Sequence, residues 1–219
     1  MLKIKRFDFL VSLYILCIAI SELMGAKSFP IVTIAGLKLS ASVALFVIPV
    51  IFSINDIITE VHGKERARSV VQSGLLMIVL LLIFSFVATI LPPTPRFAKS
   101  ESAYDTIFTF SIRISAASLI AFSIAEFLDV FIFSKIREKL GKSKLWLRNN
   151  LSNFISEFFD STIFIFIAFY ALNKPLGENL PFLIGLIVPY WLLKCFMSII
   201  ETPFVYLGVQ WLKHDKKSN

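Results

Sequence analysis

Residues 69–91 read SVVQSGLLMIVLLLIFSFVATIL, from Ser69 to Leu91, without one charged side chain. A bilayer core about 30 Å thick needs roughly 20 apolar residues in a helix. This stretch meets that length, and the chain around it is strongly apolar as well. Residues of the AVILMFWYC set make up 57% of the sequence, charged residues 17%, and the mean hydropathy is +0.79. Soluble domains run about 45–50% apolar and about 25% charged. A water-soluble fold of this size has no interior large enough for so much apolar surface, and intrinsic disorder is excluded by the same figures.

Working outward, five more spans are expected. They are Phe7 to Ala26, Leu39 to Thr59, Phe108 to Phe133, Phe154 to Leu172 and Leu180 to Leu212. The expected fold is therefore an all-α integral membrane protein, a single domain over residues 1–219 built as a bundle of six transmembrane helices (about 7–26, 39–59, 69–91, 108–133, 154–172 and 180–212). The last stretch is too long for one straight crossing, so it must tilt, break at Pro189 or Pro203, or run on along the interface. Pro30 and Gly36, then Pro92, Pro93 and Pro95, then Asn173, Pro175 and Gly177 mark the joints. Ser28 to Ser40 alternates weakly around Ala35-Gly36, as a short extracellular hairpin would. The first span follows Lys3, Lys5 and Arg6, but it is long for a signal peptide and Glu22 interrupts its end. It reads as an uncleaved helix.

Lysine and arginine set the orientation. With six spans, fifteen basic residues fall at the two termini and in loops two and four, and five fall in the other loops. Basic loops face the cytoplasm, so both termini are expected there. The net charge of +7 thus belongs to membrane flanks rather than to a nucleic-acid surface. Cys17 and Cys195 lie in apolar runs, where a thiol behaves as a small hydrophobe.

The acids do not follow the bases. Eight of fifteen lie within or at the edges of spans: Glu22, Asp56, Glu60, Glu126, Asp129, Glu157, Asp160 and Glu201. Charges in the bilayer are costly, face the bundle interior or a wet cavity, and mark substrate, ion or proton paths. Six of them form pairs three or four residues apart: Asp56 with Glu60, Glu126 with Asp129, and Glu157 with Asp160. Each pair shares a helix face, and the second, fourth and fifth helices could bring them around one cavity in the cytoplasmic half. Helix-end acids that reach the interface or pair with a base are the plainer reading, strongest for Glu22, Glu60 and Glu201. Arg113, near the outer end of its span, reads either as a snorkelling side chain or as a ligand for substrate. Lys194, well inside its span, should pair with an acid or bind substrate. A weak echo 31 residues apart, Glu126-Phe127-Leu128-Asp129 against Glu157-Phe158-Phe159-Asp160, suggests a repeated unit. Most of the 23 Phe should face lipid or pack, while Tyr190, Trp191, Tyr206 and Trp211 read as interface anchors or stacking platforms.

No HExxH, Walker loop, GxSxG or cysteine cluster occurs, and His62 and His214 cannot build a metal site alone. The chain is therefore read as no enzyme, with no catalytic residues, no metal and no cofactor.

Specific strings narrow the function. Phe46-Val47-Ile48-Pro49 leads to Asp56-Ile57-Ile58-Thr59-Glu60-Val61-His62-Gly63-Lys64 and then to Ala67-Arg68. Arg113-Ile114, Ser118-Leu119-Ile120-Ala121-Phe122 and Leu128-Asp129-Val130 follow. Arg148-Asn149-Asn150, Ser152, Asp160-Ser161 and Ile167-Ala168-Phe169 come next, and Lys194, Thr202-Pro203 and Tyr206 close the series. Together they resemble the bacterial queuosine precursor transporter family, also grouped with vitamin uptake transporters, over about Lys27 to Leu212. The resemblance implies a six-helix, multi-pass protein of the inner (plasma) membrane. It implies import of the 7-deazaguanine bases 7-cyano-7-deazaguanine and 7-aminomethyl-7-deazaguanine for tRNA modification. Glu126 and Glu157 depart from the family, which often carries glutamine there; the extra acids could alter substrate choice or add proton coupling.

A guanine-like edge offers adjacent N–H donors that a carboxylate accepts bidentately. The candidate substrate-binding residues are therefore Asn55, Asp56, Glu60, Arg113, Glu126, Asp129, Asn153, Glu157, Asp160 and Lys194. The partners expected are the small-molecule substrate and the lipid bilayer, no nucleic acid, and a homodimer is compatible with so small a bundle. The competing reading is a substrate-binding membrane subunit of a vitamin uptake complex driven by a separate ATPase.

Overall fold

The computed structural model describes residues 5–34, 36–140 and 145–216; within its helices the side chains of 64, 126–127, 129–131, 133–153, 197–202 and 214–216 lie outside the description. In chain order the elements are α1 (Arg6–Met24), β1 (Ser28–Ile34), β2 (Leu37–Ser42), a 3-10 turn (Val43–Phe46), α2 (Ile48–His62), α3 (Lys64–Ile90), α4 (Glu101–Leu140), α5 (Leu145–Phe169) and α6 (Leu176–Lys216). The helix-dominated architecture and the hairpin agree with the sequence expectation. Five stretches are long and apolar enough to cross a membrane, among the described residues: Arg6–Met24, Val43–His62, Glu65–Ile90, Glu101–Ala125 and Leu176–Phe196. The chain is a multi-pass membrane protein.

Helix ends depart from the hydropathy limits in a consistent way. α3 begins at Lys64 rather than at residue 69, α4 runs over 101–140 rather than 108–133, and α5 begins at Leu145 rather than at residue 154. Hydropathy marks only the part of a helix that needs lipid, whereas the i to i−4 hydrogen bonds continue into water. The second span is corrected at its start: residues 39–42 belong to β2, and the helix begins at Ile48 with Pro49 in its first turn, where a missing N–H costs nothing. α6 is assigned as one helix of 41 residues and passes Pro189 and Pro203 without a break. Proline is tolerated in membrane helices because local adjustments satisfy the freed carbonyls.

The chain divides into two compact units. The first comprises Met1–Lys27, Ser42–Ile112 and Phe196–Asn219. Its core is an apolar stripe on α1 (Leu10, Tyr14, Cys17, Ile18) with Ile54, Ile57 and Ile58 of α2 and Val70 and Ile78 of α3. Glycines permit the close approaches. Gly74 of α3 meets Tyr14 and Ile18, and Gly208 of α6 meets Ile57, as small residues do where membrane helices pack without a hydrophobic driving force. Ser42, buried, accepts a hydrogen bond from the Ala44 N–H and donates to the Gly25 carbonyl, so one hydroxyl ties the end of α1 to the start of the 3-10 turn. Between α2 and α3 stands only Gly63, at φ 85°, a conformation that glycine adopts without strain. The outer surface of α3 is apolar: only 11% of its hydrophobic stretch is buried, and Leu76, Leu80, Ile83 and Phe84 are exposed. Such a surface on a folded chain is one that meets lipid.

The second unit comprises Ser28–Ala41 and Arg113–Cys195. Ile114, Ala117 and Ala121 of α4, Ile165 and Ala168 of α5, and Leu183, Leu186, Ile187 and Tyr190 of α6 form its core at helical spacing. The hairpin strands pair in one two-stranded sheet, and Gly36 at φ 83° supplies the left-handed turn conformation such loops require. The β2 backbone lies directly on α6. A Cβ on Gly185 would collide with the Lys38 carbonyl, whereas a Cβ on Gly177 would meet nothing. Forcing a methyl into a packed contact costs about 1–3 kcal/mol. Gly185→Ala is therefore expected to lower the thermal midpoint of the detergent-solubilised protein by several degrees. Gly177→Ala should leave that midpoint unchanged or slightly raised in the same unfolding scan.

Candidate functional site

Three of the charges that hydropathy could not place, Glu157, Asp160 and Lys194, meet in the second unit. α5 carries Glu157 and Asp160 one turn apart on one face. Asp160 stands nine residues before the end of α5 at Phe169, about 14 Å by helical rise and thus near the middle of a 30 Å core. From α6 comes Lys194. Its Nζ hydrogen-bonds Asp160 Oδ2 and lies 2.9 Å from Glu157 Oε2. The lysine side chain is 14% exposed and those of Asp160 and Glu157 18% and 31%. One ammonium therefore serves two carboxylates, and the cluster keeps one excess negative charge. The expectation that Lys194 pairs with an acid is met, by both members of the α5 pair.

Two polar residues follow Asp160 along α5. Ser161 Oγ and Thr162 Oγ1 are buried and have no hydrogen-bond partner among the described residues. Buried polar atoms in native proteins are nearly always paired, so both hydroxyls call for a partner that the described residues do not supply. The sequence reading missed both; the only signal was two polar residues interrupting an apolar run. Trp191, one turn before Lys194, donates its indole N–H to the Phe154 carbonyl at 3.1 Å and packs edge-on against Phe154 and Phe158. This fixes the ring on the α5 side of α6.

Arg113 does something else. Its Nε donates to the Ile167 carbonyl and its Nη2 to the Tyr170 carbonyl, both at 2.6 Å. These are carbonyls at the end of α5, where the helix leaves acceptors unpaired and the dipole favours a cation. Two of the five guanidinium donors are thus committed to a helix terminus. The same end is closed by Asn179, 3% exposed, which the sequence reading also missed. Its Oδ1 accepts from the Ala171 N–H at 2.8 Å, and its Nδ2 donates to the carbonyls of Ala171, Lys174 and Pro175.

The remaining candidates are distributed differently. Asn55, Asp56 and Glu60 sit on α2 in the first unit. Asn55 Oδ1 is buried without a partner among the described residues. Asp56 is exposed. Glu60 stands 4.0 Å from Lys213 with both side chains more than half exposed, a pairing worth little. Glu126 and Asp129 lie on α4 and Asn153 on α5, with side chains outside the described set. Among the described residues the α5 pair is engaged with Lys194. Among the described residues no group of three or more His, Cys, Asp or Glu could hold a metal ion.

A family model described as "Putative vitamin uptake transporter" matches residues 42–208, from the end of β2 to Gly208 of α6. The chain belongs to that family. The matched region contains the triad, Arg113, Gly63 and Gly185. Curated relatives carry related names. A "Probable queuosine precursor transporter" of Bacillus subtilis (strain 168) is 29% identical over 188 residues, 85% of this chain and 80% of the relative. A protein of the same name from Haemophilus influenzae is 28% identical over 153 residues, 69% of this chain and 61% of its own. The "Queuosine precursor transporter" of Escherichia coli (strain K12) is 27% identical over 128 residues, covering 57% and 53%. No solved structure matches the chain.

Removing Lys194 would leave two carboxylates facing each other without a counter-charge. Breaking a buried pair in this way costs about 3–5 kcal/mol. Lys194→Ala is expected to destabilise the solubilised protein by that order. Adding Glu157→Gln and Asp160→Asn to Lys194→Ala should restore much of the loss, a non-additivity that thermal unfolding of the single and combined variants reads directly.

Proposed function

We propose that this chain imports queuosine precursors across the inner membrane, taking up 7-cyano-7-deazaguanine and 7-aminomethyl-7-deazaguanine. The names of its relatives support the substrate class. The observation that carries the proposal is the Glu157–Lys194–Asp160 cluster inside the apolar helices. A 7-deazaguanine presents a ring N–H and an exocyclic amine side by side, and Asp160 can accept from both at once. The adjacent ring carbonyl is an acceptor, for which Lys194 is the donor. The excess negative charge of the triad favours the aminomethyl compound, whose ammonium it would neutralise. Ser161 and Thr162 add hydroxyls for the polar rim, and Trp191 and Phe158 offer aromatic surface for the flat bicycle.

In this reading α5 is the fifth of six spans, added to the five apolar stretches above, and its 25 residues exceed the length a crossing needs. Both termini lie in the cytoplasm by the distribution of basic residues. Asn55 and the acids of α2 are secondary candidates, supported by the buried Asn55 oxygen.

The test is recovery of queuosine in tRNA, in a host that lacks both precursor synthesis and its own importer, fed each base at low concentration. The intact chain should restore the modification with both bases, and more readily with the aminomethyl form. Asp160→Asn leaves Lys194 paired with Glu157, so the protein should reach the membrane in normal amount. Losing hydrogen bonds to a charged acceptor costs about 1.5–3 kcal/mol, and uptake should fall about tenfold or more. Undiminished recovery with Asp160→Asn would remove the triad from the substrate path.

A further inference from the structure

A second polar site lies in the first unit, built from residues that the transport reading does not use. The first turns of α1 and of α3 flank an open cavity of about 400 Å³, lined by Phe7, Asp8, Ser12, Arg66, Ser69 and Ser73 with two valines between them. These residues fall at the very start of two membrane spans, Arg6–Met24 and Glu65–Ile90. At 1.5 Å per residue they occupy the outermost 10 Å or so of each, the depth of the headgroup layer and its boundary with the acyl chains.

The cavity holds one charge of each sign. The Arg66 guanidinium is held with its central carbon 4.9 Å from the Phe7 ring centroid, and Phe7 in turn packs edge-on against His62 at 4.7 Å. Stacking of this kind fixes a guanidinium by its face and leaves its in-plane N–H donors pointing outward. Among the described residues no acceptor takes those donors, and no ion pair joins Arg66 to Asp8. Ser12 and Ser73 spend their hydroxyl protons on the carbonyls of Asp8 and Ser69, which leaves their oxygens as acceptors. The wall thus offers a fork of donors at one point, and a carboxylate with hydroxyl acceptors at another.

We propose that this cavity binds the headgroup of a zwitterionic phospholipid with a primary ammonium, as in phosphatidylethanolamine. The phosphate would meet Arg66, where a guanidinium binds phosphate oxygens bidentately. The ammonium would meet Asp8 and the serine oxygens. A lipid whose charge is carried by phosphate alone leaves Asp8 repelling it, and a trimethylated ammonium has no N–H for Asp8 to accept.

The test uses the full chain purified in mild detergent and mixed with dioleoyl lipids bearing ethanolamine, choline or glycerol headgroups, with retained lipid counted by native mass spectrometry. The intact chain should retain the ethanolamine lipid about tenfold or more over the other two, the scale of one charge-assisted hydrogen-bonding contact. Asp8→Asn should erase that preference while some binding persists, and Arg66→Gln should abolish retention of all three. The conservative Arg66→Lys and Asp8→Glu should recover part of it, which keeps the assignment testable if either neutral variant folds poorly. Equal retention of the three lipids by the intact chain would overturn the proposal. So would a preference unchanged by both neutral variants.

Discussion

Inside a bilayer there is no water to take a hydrogen bond, so each backbone N–H and C=O must find its partner within the protein. Long helices meet that demand along their length and fail it at their ends. The end of α5 shows how the chain resolves the failure. Arg113 reaches from α4 to two of the terminal carbonyls, and Asn179 folds the α5–α6 connection onto itself with four hydrogen bonds. The α5–α6 connection can therefore be short, and the face of α5 bearing Glu157 and Asp160 stays in register with the face of α6 bearing Lys194.

The triad is a compromise of the same kind. Two acids without a base would be untenable in an apolar helix pair, and a lysine alone equally so. Three charges together leave one formal unit uncompensated. In the transport reading proposed above, that imbalance is what would draw a cation or a strong donor edge to the site.

Much of this was legible in the linear sequence. Hydropathy located the helices, and the spacing of Glu157 and Asp160 put them on one face. The depth of Lys194 within its run demanded an acidic partner. The alternation around Ala35-Gly36 announced the hairpin. What escaped was whatever depends on contacts between distant residues. Arg113 carries the same local signature whether it caps a helix 54 residues away, reaches for the interface or binds a ligand. Asn179 carries no local mark of the four hydrogen bonds it makes. Ser161 and Thr162 acquire meaning only because no neighbour among the described residues takes their hydroxyls. The helix limits were misjudged for a different reason: the apolar run reports the membrane, and the helix obeys its own hydrogen bonds.

Gly63 has a further consequence. With one residue joining α2 to α3, the two helices share an angular phase, like gears keyed to one shaft. Each residue inserted at the joint would turn α3 by about 100° about its axis. Gly74 would leave Tyr14 and Ile18, and the smooth apolar side of α3 would rotate away from the hydrocarbon. The length of the chain at this point is therefore fixed as firmly as any side chain in the core, and variation in loop length has to occur at other joints.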